Sequence, residues 1–598
     1  MHKFLSFIKE FQIPKKQNLR DALASFSRKE FYIFATIVVV ALVAMVVMLN
    51  AINNKFLVDV PMNGGSVTEG IIGMPTLVNP VLAISDADKD LVSLVYSGLV
   101  RRQPDGTYIP DLAESYTISP DGLTYTFILR KDAKFHDGVK VTANDVVYTI
   151  DKIKDPTVKS PRVGWNVVSV EKKDDRTIVF TLNKAYISFL DNMTLGILPE
   201  HIWKEKESQF NISPYNIKAI GSGPYQIKSV AKNSDGIPQK YVLKSFSKFT
   251  LGVPHIKTLN IVSFSNEKDL VDAISNGSID QAGGISPKNA IDINKDSYTI
   301  HTASTPRIFG LFYNSLNNKI FADPNIVKAF DYALNRQEVI DNVLYGYGTI
   351  TSNPIPDTIL KNDTVVREDS ESIKKANDLL DKSGWIIGAD GLRTKGGTTT
   401  ITKTKKVGKK TVTEKVKVNS GPVTTLEFSL TTLDTPEFKQ AAEIIKKQLG
   451  RVGVRVNTEK VYEMGPLNKI IQNREYEALF FGQRITHESD LFLFWHSSQN
   501  KDPGLNISMY SNAKVDKILE DAQKTILLDD RINKYKSFIE EFNKDIPALL
   551  IYSPKYLYAT TIELNNININ TLINPSDRFA SIYTWYADKD RVWKIFTK

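Results

Sequence analysis

Cysteine is absent from all 598 residues. Its absence excludes disulfides, thiolate-ligated metals, iron–sulfur clusters, thiol catalysis and lipid attachment at a cysteine. Histidine is scarce: His2, His136, His201, His255, His301, His487 and His496 are the full set, and no two have the spacing of a helical metal pair. There is no Gly-x-Ser-x-Gly elbow, no His-Glu-x-x-His and no Walker A loop, so the usual serine-hydrolase, zincin and nucleotide-binding signatures are missing. Carboxylates are plentiful, but a glycosidase pair is defined by a separation that sequence does not show. The sequence also lacks a pervasive basic character. The net charge of +9 sits largely at the N-terminus and in one Lys-rich stretch, which argues against a nucleic-acid-binding body.

What is present is enough apolar material for a large folded body: 42% hydrophobic and 24% charged residues, near globular averages. The length suits roughly three to four domain-sized units. There is one long apolar run, Phe31 to Leu49 (FYIFATIVVVALVAMVVML), with no charge and only Tyr32 and Thr36 as polar side chains. Nineteen helical residues rise to about 28 Å, close to the ~30 Å hydrocarbon thickness. Lys3, Lys9, Lys15, Lys16, Arg20, Arg28 and Lys29 precede it, against Glu10, Asp21 and Glu30, so the N-terminus is expected inside and everything after Asn50 outside. The run exceeds the usual signal-peptide core and no convincing small-x-small cleavage site follows it, so a retained anchor is expected over a cleaved signal.

Beyond the run, residues 51 to about 66 read as a short tether. TYTFILR (124–130) and TIVFTLN (177–183) alternate as half-buried strands do. ANDVVYTIDKI (143–153) has helical spacing with Thr142 as N-cap. Helices are also expected over Asn325 to Leu344, Pro436 to Leu449, 513–527 and 530–544. Mixed strands and helices of this kind predict an α/β or α+β sheet protein. Residues 395–418 (KGGTTTITKTKKVGKKTVTEKVKV) hold eight Lys and one Glu and read as an extended hairpin around Val407-Gly408. It serves either as a solvated elaboration whose charges discourage edge pairing or as an electrostatic arm for an anionic envelope surface.

Ordered blocks from about Ser66 to residue 560 carry a resemblance. PTLVNPVLA (75–83) leads to Tyr96, Gly98 and Leu99, then Leu112 to Ser115, Phe135 to Gly138 and Ala143 to Val146. GSGPYQI (221–227), NGSIDQA (276–282), 323–350 with its Ala-x-x-Arg, NPIP (353–356), SGW (383–385), 509–522, 529–535 and 545–552 follow in order. The set resembles the peptide/nickel class, family 5, of bacterial extracellular solute-binding proteins. Singly, the blocks have structural explanations. Phe135-His136-Asp137-Gly138 reads as a packed turn, and Gly221 and Gly223 as turn glycines with positive φ stiffened by Pro224.

The resemblance implies a two-lobed, periplasmic-binding-protein-like α/β fold (class II, with an extra subdomain) behind one transmembrane helix. The expected division is 1–30 cytoplasmic, 31–50 membrane helix, 51–65 linker, 66–305 plus 545–598 for lobe I with a subdomain over about 96–214, and 306–544 for lobe II with the 395–418 insertion. It implies hinge closure around a peptide-like or other polar solute, no catalysis, no cofactor, no metal, and delivery to an ABC permease and its ATPase. The alternative is an anchored sensor or adhesion module that binds another solute, such as a metal complex, in the same fold; nickel-type relatives use a histidine near His487. The candidate ligand residues are Asn79 and Tyr96 on the first lobe, Phe309, Phe312 and Tyr313 on the strand entering the second, and Gln483, Arg484, Thr486, Glu488, Asp490 and Trp495 in and after the ligand loop. The sequence departs from the family where the ligand amine is usually fixed. That carboxylate position falls on Thr486, so Glu488 and Asp490 are the candidate substitutes, and Arg484 is a candidate partner for a ligand carboxylate.

Overall fold

The computed structural model describes residues 17, 20–21, 24–185, 189–293, 296–361, 369–396, 398–407, 410–419, 421–525, 527–561 and 563–596. The chain divides into two compact units, Met1–Met62 with Asp588–Lys598, and Asn63–Ala587.

In the smaller unit one helix spans Arg28–Phe56. Ser27 caps it: the Glu30 carboxylate accepts from the Ser27 amide at 2.9 Å, and the Ser27 hydroxyl accepts from the Glu30 amide. This reciprocal pair satisfies two backbone donors that a helix start otherwise leaves open. Thr36 donates to the Tyr32 carbonyl at 2.8 Å, so the one hydroxyl mid-run is satisfied within the helix. The tether expected over 51–65 has regular structure instead. The helix continues to Phe56, and the strand Leu57–Pro61 pairs antiparallel with Lys589–Trp593. The end of the chain, expected with lobe I, therefore belongs to this unit from Asp588 onward. Residues 1–16 of the expected cytoplasmic segment lie outside the described residues.

The larger unit is organised on one twelve-stranded sheet. Its spine is the 14-residue strand Ala548–Thr561. The first part of that strand pairs with Arg307–Tyr313, in register Phe312 to Ala548. The last part pairs with Tyr298–Ser304, in register Tyr298 to Thr561. The chain therefore passes twice between the halves of the sheet at one level, once at 304–307 and once at 552–555. Thr305 hydroxyl donation to the Pro554 carbonyl at 2.7 Å ties the two crossings together.

On one side of the crossings lie Gln281–Gly283, Gly64–Ile72, Ile256–Phe264, Pro238–Ser245 and Tyr225–Lys232. On the other lie Ala478–Arg484, Glu427–Leu433 and Arg455–Tyr462. Alternate residues face opposite cores, as the pleat requires: Leu311 and Tyr313 enter one apolar cluster with Phe428 and Phe480, while Ile308 and Phe312 enter another with Leu479, Trp495 and Phe542. A separate four-stranded sheet, ordered Ala113–Ile118, Thr124–Leu129, Thr177–Leu182, Val168–Lys172, carries the helix Ala143–Lys154. Thr142 caps that helix, with Asp145 accepting from its amide at 2.8 Å.

Two local expectations need revision. The helix expected over Asn325 to Leu344 is two, Pro324–Ala333 and Arg336–Val343. Leu334 is extended, and Asn335 caps the second helix by accepting from Glu338 N. Gln448 holds the break from both sides, accepting from Asn335 N at 3.0 Å and donating to Asn335 O at 3.1 Å. Gly221 and Gly223 do not have positive φ. They are needed because a Cβ at Gly221 would lie 2.1 Å from the Val95 carbonyl oxygen, and one at Gly223 2.6 Å from the Val95 carbonyl carbon. The Lys-rich hairpin pairs Thr398–Val407 with Lys410–Asn419 antiparallel, while its expected turn residue Gly408 lies outside the described residues.

Candidate functional site

A cavity of about 340 Å³ opens where segments far apart in sequence meet. The helix Asp86–Val95 supplies Lys89, Val92 and Ser93, and Tyr96 follows at its end. Arg101, Arg102 and Asp111 follow, then Arg162 and Trp165, Asp191 to Gly196, and the 571–580 segment. His487, from the loop after strand Ala478–Arg484, reaches the same space. The Val95 backbone against Gly221 and Gly223 fixes where that helix ends, and His136 locks the glycine turn. His136 accepts from Gly221 N through Nδ1 and contacts Gly223 O through Nε2 at 3.1 Å. The bond accepted by Nδ1 requires the neutral ring, and burial pushes its pKa down to about 4.

A buried ion cluster braces the cavity wall from behind. Arg578 donates to Asp90 at 2.7 and 2.6 Å and to Glu69 at 3.0 and 2.8 Å. Tyr558 donates to the second Glu69 oxygen at 2.8 Å. All three charged groups are buried. Burial outweighs the attraction of Arg578 and holds both carboxyls above their ordinary range.

The lining is charged in both signs. Arg101 pairs with Asp111 at 2.9 Å. Arg162 donates to the Pro80 carbonyl at 2.6 Å. Asp577 accepts from the amides of Ile573 and Asn574 at 2.9 and 2.8 Å, and burial raises its pKa. Asp191 accepts from the Tyr108 hydroxyl and lies 3.0 Å from His487 Nδ1. Burial pulls the His487 pKa down, but the hydrogen bond and charge of Asp191, with Asp490 nearby, leave it above the usual value. Tyr96 lines the cavity, and its hydroxyl is buried with no hydrogen-bond partner among the described residues. A buried hydroxyl without a partner is costly, which marks it as a group awaiting one.

Of the residues singled out from sequence, Tyr96 and His487 line this cavity, and the other candidate ligand residues have different surroundings. Asn79 is buried, donating to Asn216 at 3.0 Å and accepting from Val81 N at 2.9 Å. Phe309 stacks on Tyr552 at 5.2 Å, and Tyr313 on Phe321 at 4.6 Å. Phe312 and Trp495 pack in a core, with Trp495 4.9 Å from Phe542. Gln483 is buried with both amide atoms unpartnered among the described residues. Arg484 donates to Ile573 O and Asn574 Oδ1, both at 2.8 Å, and so reaches the segment that walls the cavity. Glu488 pairs with Arg531. Asp490 accepts from Thr486 N, Thr486 Oγ1 and His487 N at 2.8, 2.9 and 3.0 Å. Neither expected substitute carboxylate is thus directed at the cavity; Asp490 shapes the loop that presents His487. Sequence reasoning missed Asp191, Arg102 and Arg162, which stand in no block that marked them.

The model of the family "Bacterial extracellular solute-binding proteins, family 5 Middle" matches residues 107–504. The oligopeptide-binding protein AppA of Bacillus subtilis is 26% identical over 548 residues, covering 88% of this chain and 93% of AppA. Its solved complex with a nonapeptide aligns with TM-score 0.60 at 25% identity, over 88% of this chain and 100% of that one. NikZ of Campylobacter jejuni, solved with Ni(L-His), aligns with TM-score 0.62 at 26% identity, over 87% of this chain and 99% of that one. The chain belongs to the family 5 bacterial extracellular solute-binding proteins, two-lobed α/β proteins that bind a solute outside the cytoplasm for an ABC importer.

Proposed function

We propose that this protein captures a short zwitterionic peptide or a similar polar solute in the cavity walled by Tyr96, Arg102, Asp191 and His487, and passes it to a permease and its ATPase without altering it. One observation carries the reading: a single cavity is lined by Lys89, Arg101, Arg102, Arg162 and His487 together with Asp111, Asp191 and Asp577, beside Tyr96, whose buried hydroxyl has no partner among the described residues. A carboxylate has about four acceptor positions, so Asp191 retains capacity for a ligand ammonium beside Tyr108 and His487. Arg102, whose charge opposes the rise that burial imposes on the pKa values of Tyr108 and Asp577, is placed for the ligand carboxylate. A volume of about 340 Å³ is at the small end of ligand pockets, roughly 300–1,000 Å³, and favours short ligands. That the Bacillus subtilis relative is an oligopeptide-binding protein supports the class. The two lobes divide, in this reading, at the crossings 304–307 and 552–555, and the helix Arg28–Phe56 is retained as a single membrane anchor with the remainder outside.

Titration calorimetry of the full chain with di- and tripeptides tests the site. Asp191→Asn weakens free-amine peptides by roughly 10- to 100-fold, the worth of a charge-assisted hydrogen bond. N-acetylated peptides bind wild type and variant equally weakly. Equal affinity of both proteins for free-amine peptides would remove Asp191 from the role. Carbonate extraction of membranes tests the anchor, and a mature N-terminus near Asn53 would overturn it.

A further inference from the structure

We infer that the C-terminal strand and the residues after it form an interfacial collar that seats Trp593 and Ile595 in the lipid headgroup layer at the outer end of the membrane helix; this rests on the retained-anchor reading. Five of the six tryptophans, Trp165, Trp203, Trp385, Trp495 and Trp585, are at most 6% exposed, and Trp593 is 43% exposed. Its position is fixed against the helix. Trp593 Nε1 donates to Asn53 Oδ1 at 2.7 Å, and its ring lies 6.2 Å from that of Phe56. The pairing of Leu57–Pro61 with Lys589–Trp593 delivers it there.

The helix itself sets the depth. The apolar run ends at Leu49, and Asn53 is four residues further on, or about 6 Å along the axis. A bilayer of about 40–45 Å with a hydrocarbon core of about 30 Å has a headgroup layer of roughly 5–8 Å on each side. Trp593 therefore lies at the depth where Trp and Tyr concentrate, with an apolar ring body and a polar N–H. Ile52 and Phe56, one helical turn apart, are also exposed, as is Ile595 at 77%. Nearby charge is close to balanced, with Lys55, Lys589, Arg591 and Lys594 against Asp59, Asp588 and Asp590. The partner is thus the lipid–water interface itself, met by aromatic and apolar contact.

The test uses the full chain in liposomes containing phosphatidylcholine spin-labelled near the headgroup, alongside Trp593→Phe, a conservative change at a partly exposed site. Wild type is expected to lose tryptophan emission to the lipid label, Trp593→Phe to show no such loss, and aqueous iodide to leave the Trp593 component unquenched. Identical lipid quenching of the two proteins, with iodide quenching Trp593, would overturn the collar. Carbonate extraction of the same liposomes separates the two readings. A retained but unquenched protein sinks the collar alone, and an extracted protein sinks the anchor and the collar with it.

Discussion

Loss of Arg578 is expected to destabilise the fold strongly. Its guanidinium sits between Glu69 and Asp90, with four donor contacts of 2.6 to 3.0 Å, and lies 4.0 Å from the Phe579 ring. Replacing it with methionine keeps much of the apolar stem and leaves two buried carboxylates without their cation. Removing one partner of a buried ion pair costs about 3–5 kcal/mol, and here two pairs are broken at once. We expect Arg578→Met to lose at least about 3 kcal/mol in urea unfolding of the full chain. The pH dependence identifies the cause. With folded carboxyl pKa values raised further above the unfolded ones, the native state binds more protons than the unfolded state in the window between them, so the variant loses stability as pH rises through that window. Adding Glu69→Gln and Asp90→Asn removes the stranded charge and restores much of the loss. Because Asp90 lies on the helix that supplies Lys89, Val92 and Ser93 to the cavity, the single variant also binds ligand more weakly. A loss below about 1 kcal/mol with the wild-type pH slope would refute the reasoning.

Three further outcomes follow from the same geometry. With the His136 pKa near 4 and an unfolded value near 6.5, the unfolded state binds the extra proton between them; wild type should lose up to about 3 kcal/mol as pH falls through that window, a slope that His136→Gln flattens in pH-dependent unfolding. Gly223→Ala should cost about 1–3 kcal/mol, read from a urea midpoint, because its new methyl meets backbone atoms of Leu94 and Val95 at 2.7 and 2.6 Å. Tyr96→Phe should leave stability within about 0.5 kcal/mol, since the hydroxyl has no partner among the described residues, while calorimetry shows ligand affinity reduced by about 2- to 10-fold.

Local signals were legible where local physics decides. The Thr142 cap, the alternating strands near 124 and 177 and the helix beginning at Pro436 are set by spacing, capping and proline, and they stand at Ala143–Lys154, Thr124–Leu129, Thr177–Leu182 and Pro436–Gly450. The break at Leu334 was not legible, because Gln448, which stabilises it, lies more than a hundred residues away. The site divides in the same way. Tyr96 was reachable through its motif, but Asp191 and His487 meet only in the fold. Asp490 and Glu488 looked free because their partners, a loop backbone three or four residues back and Arg531, leave no periodic trace. Trp495 and Tyr313 carry the chemistry of ligand contacts but are enclosed by the cores their strand and helix face.

The account rests on a polar guest held in the cavity of Tyr96, Arg102, Asp191 and His487 and released unaltered. Native mass spectrometry of the full chain in nanodiscs, before and after gentle denaturation, measures this directly. The account predicts bound small solutes, peptides among them, displaced by added dipeptide, reduced in Asp191→Asn, and recovered at the mass supplied. A protein that retains no solute and takes up none of the supplied peptides, or that releases them at a changed mass, would contradict it.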